Sequence, residues 1–169
     1  MVKKFIKLSL LFWILIALGC SYSLQSNQYP DLETVRIVPF ENKTTESELA
    51  EDMLESITEQ FQSDGRLSLV GTTPDILLEG KIKSYERKIY SSDSANNVEE
   101  YEIVMVFNIK MIDMVNDVVI YEDSSLRIKE LYSVNNAESS AEYTSSIDAE
   151  QGIYEELFNK IMQNTLEDW

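Results

Sequence analysis

Hydrophobic and polar positions alternate through the middle of the chain. In Glu100–Asp113 every second residue is apolar, which predicts a long β-strand with one buried face. Asp75–Tyr90 before it and Val118–Tyr132 after it alternate in the same way, with a bulge or bend expected at Asp123–Ser125. Short polar stretches, such as Ser91–Asn97, separate the three segments and predict turns. We therefore expect three long neighbouring strands.

Two other segments carry apolar residues at helical spacing. The first has Leu49, Met53, Leu54, Ile57 and Phe61 on one side, a candidate capping box at Thr45 and Glu48, and Asp64-Gly65 at its end. The second begins near Ser145 and carries Ile147, Tyr154, Leu157, Ile161 and Leu166, widened by Phe158 and Met162. The sequence therefore predicts two amphipathic helices.

Two shorter extended segments complete the predicted elements. Thr34–Phe40 is β-branched and should form a strand that ends at Pro39, and Arg66–Val70 is a short extended piece. The predicted fold class is α+β, with two helices packed on one face of a four-stranded mixed or antiparallel sheet. Because two helices cover only one face of such a sheet, the other face must meet solvent, a partner or a ligand.

The amino terminus carries a processing signal. Lys3, Lys4 and Lys7 precede the apolar run Leu8–Leu18, which is too short to span about 30 Å of hydrocarbon as a helix. The run ends at Ala17-Leu18-Gly19-Cys20, which resembles a bacterial lipobox; an uncleaved anchor with an incidental cysteine is the alternative.

The lipobox interpretation divides the chain into three parts. Residues 1–19 are a signal peptide, residues 20–31 are a lipidated tether, and residues 32–169 form a single α+β domain. Cys20 is the expected site of lipid attachment, with several acyl chains, such as palmitate, anchoring the protein. An aspartate directly after the lipidated cysteine resembles a signal that retains a lipoprotein at the inner membrane. This chain has Ser21 at that position, so we expect a lipid-anchored protein on the periplasmic side of the outer membrane.

Composition narrows the classes of function. The chain has 30 acidic and 14 basic residues and a formal charge of −16, which becomes −19 when residues 1–19 are removed. Such an acidic protein is a poor partner for nucleic acid. It contains no histidine and one cysteine, so catalytic triads, zinc sites and disulfides are excluded. We expect no catalytic residue, no metal and no cofactor.

Two carboxylate pairs are possible sites. Asp75 with Glu79, and Asp113 with Asp117, could act as acid and base or as calcium ligands. Neither pair has the spacing of a known calcium loop, and each is better explained as turn or strand-end residues.

The outward sheet face is the better candidate. The predicted strand phases place six of the eleven bases of the mature chain on it: Lys81, Lys83, Arg87, Lys110, Arg127 and Lys129. Clustered cations would suit an anionic ligand such as lipid-borne phosphate. The alternative is the ordinary polar surface of a solvent-exposed sheet, since Glu79 and Glu102 share this face.

Four passages resemble a known family: Cys20–Leu24, Ile37–Thr44, Asp75–Ile82 and Glu100–Ile103. They are similar to the corresponding passages of the lipopolysaccharide-assembly lipoprotein family LptE. The resemblance implies an outer-membrane lipoprotein without catalytic activity that plugs the β-barrel translocon LptD, assists its assembly and binds lipopolysaccharide. The six bases named above are then the expected lipopolysaccharide-binding residues.

A second function stays open. The passage from Pro39 to Thr44 also resembles the start of curli-secretion-like lipoproteins and of lipoproteins that activate penicillin-binding proteins. The alternative is therefore a periplasmic regulatory lipoprotein that activates a cell-wall synthase or serves another secretion or assembly machine.

Overall fold

The structure is a computed structural model that describes residues 31–134 and 141–166. The predicted signal peptide, Cys20 and nearly all of the tether lie outside the described residues. So does most of the polar loop predicted at Asn135–Ala141. No helix in the two described ranges is both long and apolar enough to cross a bilayer.

The described residues form six strands and two helices. In chain order they are β1 (Thr34–Ile37), β2 (Glu41–Asn42), α1 (Leu49–Asp64), β3 (Ser68–Leu69), β4 (Ile76–Ser92), β5 (Val98–Asp113), β6 (Val118–Ser133) and α2 (Ser146–Thr165). The strand order is β3-β1-β4-β5-β6, and β2 pairs with β4. β4, β5 and β6 are antiparallel, whereas β1, β2 and β3 join by parallel pairs. The α+β class with two helices and a mixed sheet is confirmed.

The predicted number of four strands is wrong, because the first strand is interrupted. β1 and β2 both pair with β4, and the chain between them contains Pro39, which has no N–H to donate to a ladder. Phe40 turns into the core there and is 4% exposed. It lies against Gly80, where an added Cβ would approach Phe40 Cε2 to 2.7 Å. The two-residue strand β3 then extends the sheet beyond β1.

Both helices pack on the same face of the sheet. Their apolar residues join the strand residues Leu78, Ile82, Met105, Phe107 and Ile128 in one core cluster. Phe61 of α1 meets Phe158 of α2 edge to face, with ring centroids 5.0 Å apart. The predicted core position Ile147 is wrong, since this residue in the first turn of α2 is 68% exposed.

The helix ends match the sequence in part. α2 begins near Ser145 as predicted, and the backbone N–H of Asp148 donates to Ser145 Oγ at 3.1 Å, so Ser145 caps the helix. Gly65 ends α1 with a φ of 72°. The predicted capping box of Thr45 and Glu48 does not form, because Glu48 occupies the cap without a side-chain hydrogen bond.

A bulge in β4 changes which side chains face the helices. Ile82 pairs with Phe107 and Ser84 with Val106, so Lys83 is an extra residue in β4. Beyond it, Tyr85 pairs with Met105 and Arg87 pairs with Ile103, on the helix-covered face. The predicted outward position of Arg87 is therefore wrong. In β6 the register also shifts between Asp123 and Leu126, as predicted.

Candidate functional site

The uncovered face of the sheet carries charges of both signs in rows across β4, β5 and β6. The pairing register defines four of these rows as Glu79–Lys110–Glu122, Ser84–Val106–Arg127, Glu86–Val104–Lys129 and Lys88–Glu102–Leu131. Opposite charges in neighbouring strands attract each other across such rows. The predicted bases therefore do not form one continuous cationic patch.

Glu102 lies between two of the cations. Glu102 is 5% exposed. Its Oε2 lies 2.8 Å from Lys88 Nζ, and its Oε1 lies 3.2 Å from Lys129 Nζ. These contacts, Lys88 foremost, lower the pKa of the Glu102 carboxyl despite its partial desolvation. Lys129 was predicted on this face and Lys88 was not, yet both lysines form ion pairs with Glu102.

Lys81 also has a carboxylate partner. Its Nζ lies 2.8 Å from Glu41 Oε2, and Lys43 forms a second ion pair with the same side chain. Hydrogen bonds from Lys43 and Lys81 lower the pKa of Glu41 to about 2. The bond to Glu41 in turn raises the pKa of Lys81. This ion triplet lies where β2 pairs with β4, away from Arg127 and Lys129.

Arg127 and Lys83 remain the most available of the predicted bases. Arg127 is exposed, stands beside Val106 in the register and makes no ion pair with any residue that the structure describes. Lys83 donates from Nζ to the Ser124 backbone carbonyl at 3.2 Å, which orients the side chain without neutralising its charge. An arginine in this position can bind a phosphate or carboxylate through two parallel N–H bonds.

Arg87 lies in an aromatic cluster on the helix-covered face. Its guanidinium carbon is 5.7 Å from the Tyr101 ring centroid, and Tyr101 stacks on Tyr132 with centroids 5.4 Å apart. The interaction with Tyr132 raises the pKa of Arg87. Strand alternation alone does not predict this cluster, because the cluster depends on the bulge at Lys83.

A cleft of about 280 Å³ lies beside β6. It is lined by Glu102, Lys129, Glu130, Leu131, Ala141 and Glu142. Burial and the neighbouring Glu142 and Glu156 raise the pKa of the Glu130 carboxyl. With three carboxylates and one ammonium in its lining, this cleft is a poor site for an anion.

One aspartate of each carboxylate pair has a structural role. Asp75 accepts hydrogen bonds from Thr34, and Asp113 accepts hydrogen bonds from the turn residues Val115 and Asn116. Within residues 31–134 and 141–166, no cluster of three or more ligand-type side chains is placed to hold a metal ion.

Comparison with known proteins identifies the family. The family model described as LptE, lipopolysaccharide-assembly, matches residues 32–166. A hypothetical protein from Chlamydia trachomatis has the same fold with a TM-score of 0.53 and 14% identity, over 79% of this chain and 97% of that one. The rare lipoprotein B of Shewanella oneidensis is 13% identical with a TM-score of 0.45, over 76% and 91% of the two chains. Comparison with curated protein sequences gives no match. The family match spans nearly the whole described domain, and the chain therefore belongs to the LptE lipopolysaccharide-assembly family.

Proposed function

We propose that this chain is an outer-membrane lipoprotein that plugs an LptD-type β-barrel, assists its assembly and binds lipopolysaccharide on the way to the cell surface. The observation that carries the proposal is the family match over residues 32–166. It covers both helices and all six strands, so it concerns the whole domain rather than one motif.

The proposed anchor is Cys20. The sequence Ala17-Leu18-Gly19-Cys20 follows an apolar run, and several acyl chains on one cysteine hold a protein stably on a bilayer. Mass spectrometry of the amino-terminal peptide should find an acylated cysteine. The variant Cys20→Ala should carry no acyl chain and should be lost from the outer-membrane fraction.

The proposed lipopolysaccharide contacts lie on the uncovered sheet face. Arg127 and Lys83 offer positive charge without a carboxylate partner among the described side chains, whereas Lys81 and Lys129 are held by Glu41 and Glu102. Lipid A phosphates are anions that such an arginine and lysine can bind. Lys110, between Glu79 and Glu122 in the register, and Arg87, on the other face, are weaker candidates.

Affinity purification tests the proposed partner. We expect the tagged, acylated protein to co-elute from detergent-solubilised membranes with a large β-barrel, and its depletion to reduce lipopolysaccharide at the cell surface. An untagged strain is the control. Co-elution of a periplasmic enzyme domain without a barrel would contradict the proposal and favour a regulatory lipoprotein of a cell-wall synthase.

A further inference from the structure

The turn between β5 and β6 exposes four large apolar side chains. We call residues Met114–Val119 the hairpin tip. Within it, Met114 is 49%, Val115 66%, Val118 53% and Val119 44% exposed. Single exposed apolar residues are ordinary on a protein surface, but four within six residues concentrate exposed apolar surface at one end of the sheet.

The turn at the centre of the hairpin tip has a defined conformation. The Asp113 carboxylate accepts hydrogen bonds from the backbone N–H of Val115 at 2.8 Å and of Asn116 at 2.9 Å, and from Asn116 Nδ2 at 2.8 Å. Asp117 adopts a φ of 56°, which closes the turn. The four apolar side chains are therefore displayed on an ordered turn.

The hairpin tip lies at the end of the sheet where the chain enters the domain. The Met114 N–H donates to the Asp75 backbone carbonyl at 2.7 Å, and the Asp75 carboxylate accepts from the N–H of Thr34 at 2.9 Å. Thr34 is the first residue of β1. The turn between β4 and β5, at Asp93–Asn97, lies at the opposite end of the same strands.

The length of the preceding chain keeps this end close to the proposed anchor. Asp31, the first described residue, comes eleven positions after Cys20. Eleven residues span at most about 40 Å even when fully extended. Acyl chains on Cys20 would therefore hold the hairpin tip within reach of the bilayer surface.

We infer that the hairpin tip inserts Met114, Val115, Val118 and Val119 into the interface of the bilayer that holds the acyl chains. This inference rests on the proposed lipid attachment at Cys20. The tether makes the second contact intramolecular, so even a weak apolar contact becomes populated. From Asp113 to Val119 the charged residues are two aspartates, which favours zwitterionic over anionic headgroups.

Fluorescence quenching tests the inference on the acylated mature protein in phosphatidylcholine vesicles. Because acylation blocks the thiol of Cys20, Val115→Cys provides one reactive site for an environment-sensitive fluorophore. Ser94→Cys, in the turn at the opposite end, is the matched control. We expect nitroxide-labelled lipids to quench the probe at position 115 at least about threefold more than the probe at position 94, as burial in the interface requires.

The outcomes separate this inference from the proposed function. An acylated protein with equal quenching at both positions overturns the inference and leaves the proposed function standing. Disulfide formation between two Val115→Cys chains would assign the hairpin tip to a second copy, and protection only in the presence of the barrel would assign it to a protein partner; both results overturn the inference. A bare Cys20 thiol removes the anchor and overturns both proposals.

Discussion

Thr34 and Asp75 hold each other through three hydrogen bonds. Thr34 Oγ1 donates to Asp75 Oδ2 at 2.7 Å and accepts from the Asp75 N–H at 2.9 Å, while the Thr34 N–H donates to the same Oδ2 at 2.9 Å. The bonds donated to its carboxylate, that from the Thr34 hydroxyl foremost, lower the pKa of Asp75. They fasten the start of β1 to the residue that precedes β4, and so fix the end of the sheet at which the tether arrives.

Removing the Thr34 hydroxyl should loosen this end. Thr34→Val deletes one donor and one acceptor and leaves the Asp75 N–H without its partner, so we expect the free energy of unfolding to fall by about 1–2 kcal/mol. Urea unfolding at pH 7 measures the change. Thr72→Val, at an exposed loop position, should cost much less; equal losses would contradict the assigned role of Thr34.

Gly80 should not tolerate a side chain. A Cβ at this position would collide with the Asn108 backbone carbonyl and lie 2.7 Å from Phe40 Cε2, and the carbonyl cannot move without breaking the ladder. We expect Gly80→Ala to cost about 2–3 kcal/mol of stability in thermal or urea unfolding. Gly71→Ala is the control, since a Cβ added there would meet nothing within 4 Å. Similar stability of the two variants would show that Phe40 does not pack against Gly80.

Glu102 should contribute stability that depends on pH. Because Lys88 and Lys129 lower its pKa in the folded protein, the contribution is present above the unfolded value near 4.5 and is lost as the pH falls through the lowered pKa. We expect Glu102→Gln to cost about 0.5–1 kcal/mol at pH 7 and nothing once wild-type Glu102 is protonated. Thermal unfolding between pH 3 and pH 7 measures the difference, with Glu122→Gln as control. A difference that persisted unchanged at pH 3 would contradict an electrostatic origin.

Two tyrosines should respond in opposite directions to loss of the hydroxyl. Tyr154 is fully buried, and its hydroxyl has no hydrogen-bond partner among the residues that the structure describes. Burial raises its pKa. We expect Tyr154→Phe to raise the stability by about 1 kcal/mol, because an unsatisfied polar group is removed.

Tyr85→Phe is the matched comparison. The Tyr85 hydroxyl donates to Glu150 Oε1 at 2.7 Å, so its removal should lower the stability by about 1 kcal/mol. Urea unfolding of both variants at pH 7 gives the two signs. A loss of stability in Tyr154→Phe would mean that its hydroxyl is satisfied in solution.

Charge reversal on the uncovered face should weaken the proposed lipopolysaccharide binding. Lys83→Glu combined with Arg127→Glu replaces two cations that have no carboxylate partner among the described residues, and we expect about a tenfold loss of affinity with little change in stability. Lys160→Glu, on the exposed side of α2, is the control. Binding to immobilised lipopolysaccharide measures the effect. An undiminished affinity would leave Lys83 and Arg127 as ordinary solvent-exposed residues.

The periodic parts of the fold could be predicted from the sequence. The alternation in Glu100–Asp113 predicts a strand, and β5 spans Val98–Asp113, because a pattern of that length leaves little ambiguity. The two-residue strand β2 could not be predicted, since no period exists over two residues. The prediction that α1 starts with a capping box at Thr45 is wrong for a different reason. Asn42 accepts hydrogen bonds from Thr44, and the turn that these bonds form takes the place of the capping box.

For the candidate site, the sequence predicts which charged residues are present but not which of them form ion pairs. Which base meets which acid depends on the register, so the pairing of Lys129 with Glu102 and of Lys81 with Glu41 could not be predicted. The face of Arg87 could not be predicted either, because the bulge carries no residue signature here and a one-residue shift moves later side chains to the other face. The outward position of Arg127 follows from the apolar Leu126 and Ile128 on either side of it, and the register agrees.

Because of the extra residue, β4 can lose one residue at the bulge without moving the following side chains to the opposite face of the sheet. Ile82 and Ser84 already pair with the adjacent residues Phe107 and Val106, so a chain lacking Lys83 could form an unbroken ladder with Tyr85 still toward the helices. Loss of a residue from the regular stretch that follows would instead exchange the two faces of the strand beyond it. Deletion of one residue should therefore be tolerated at Lys83 and harmful a few positions later.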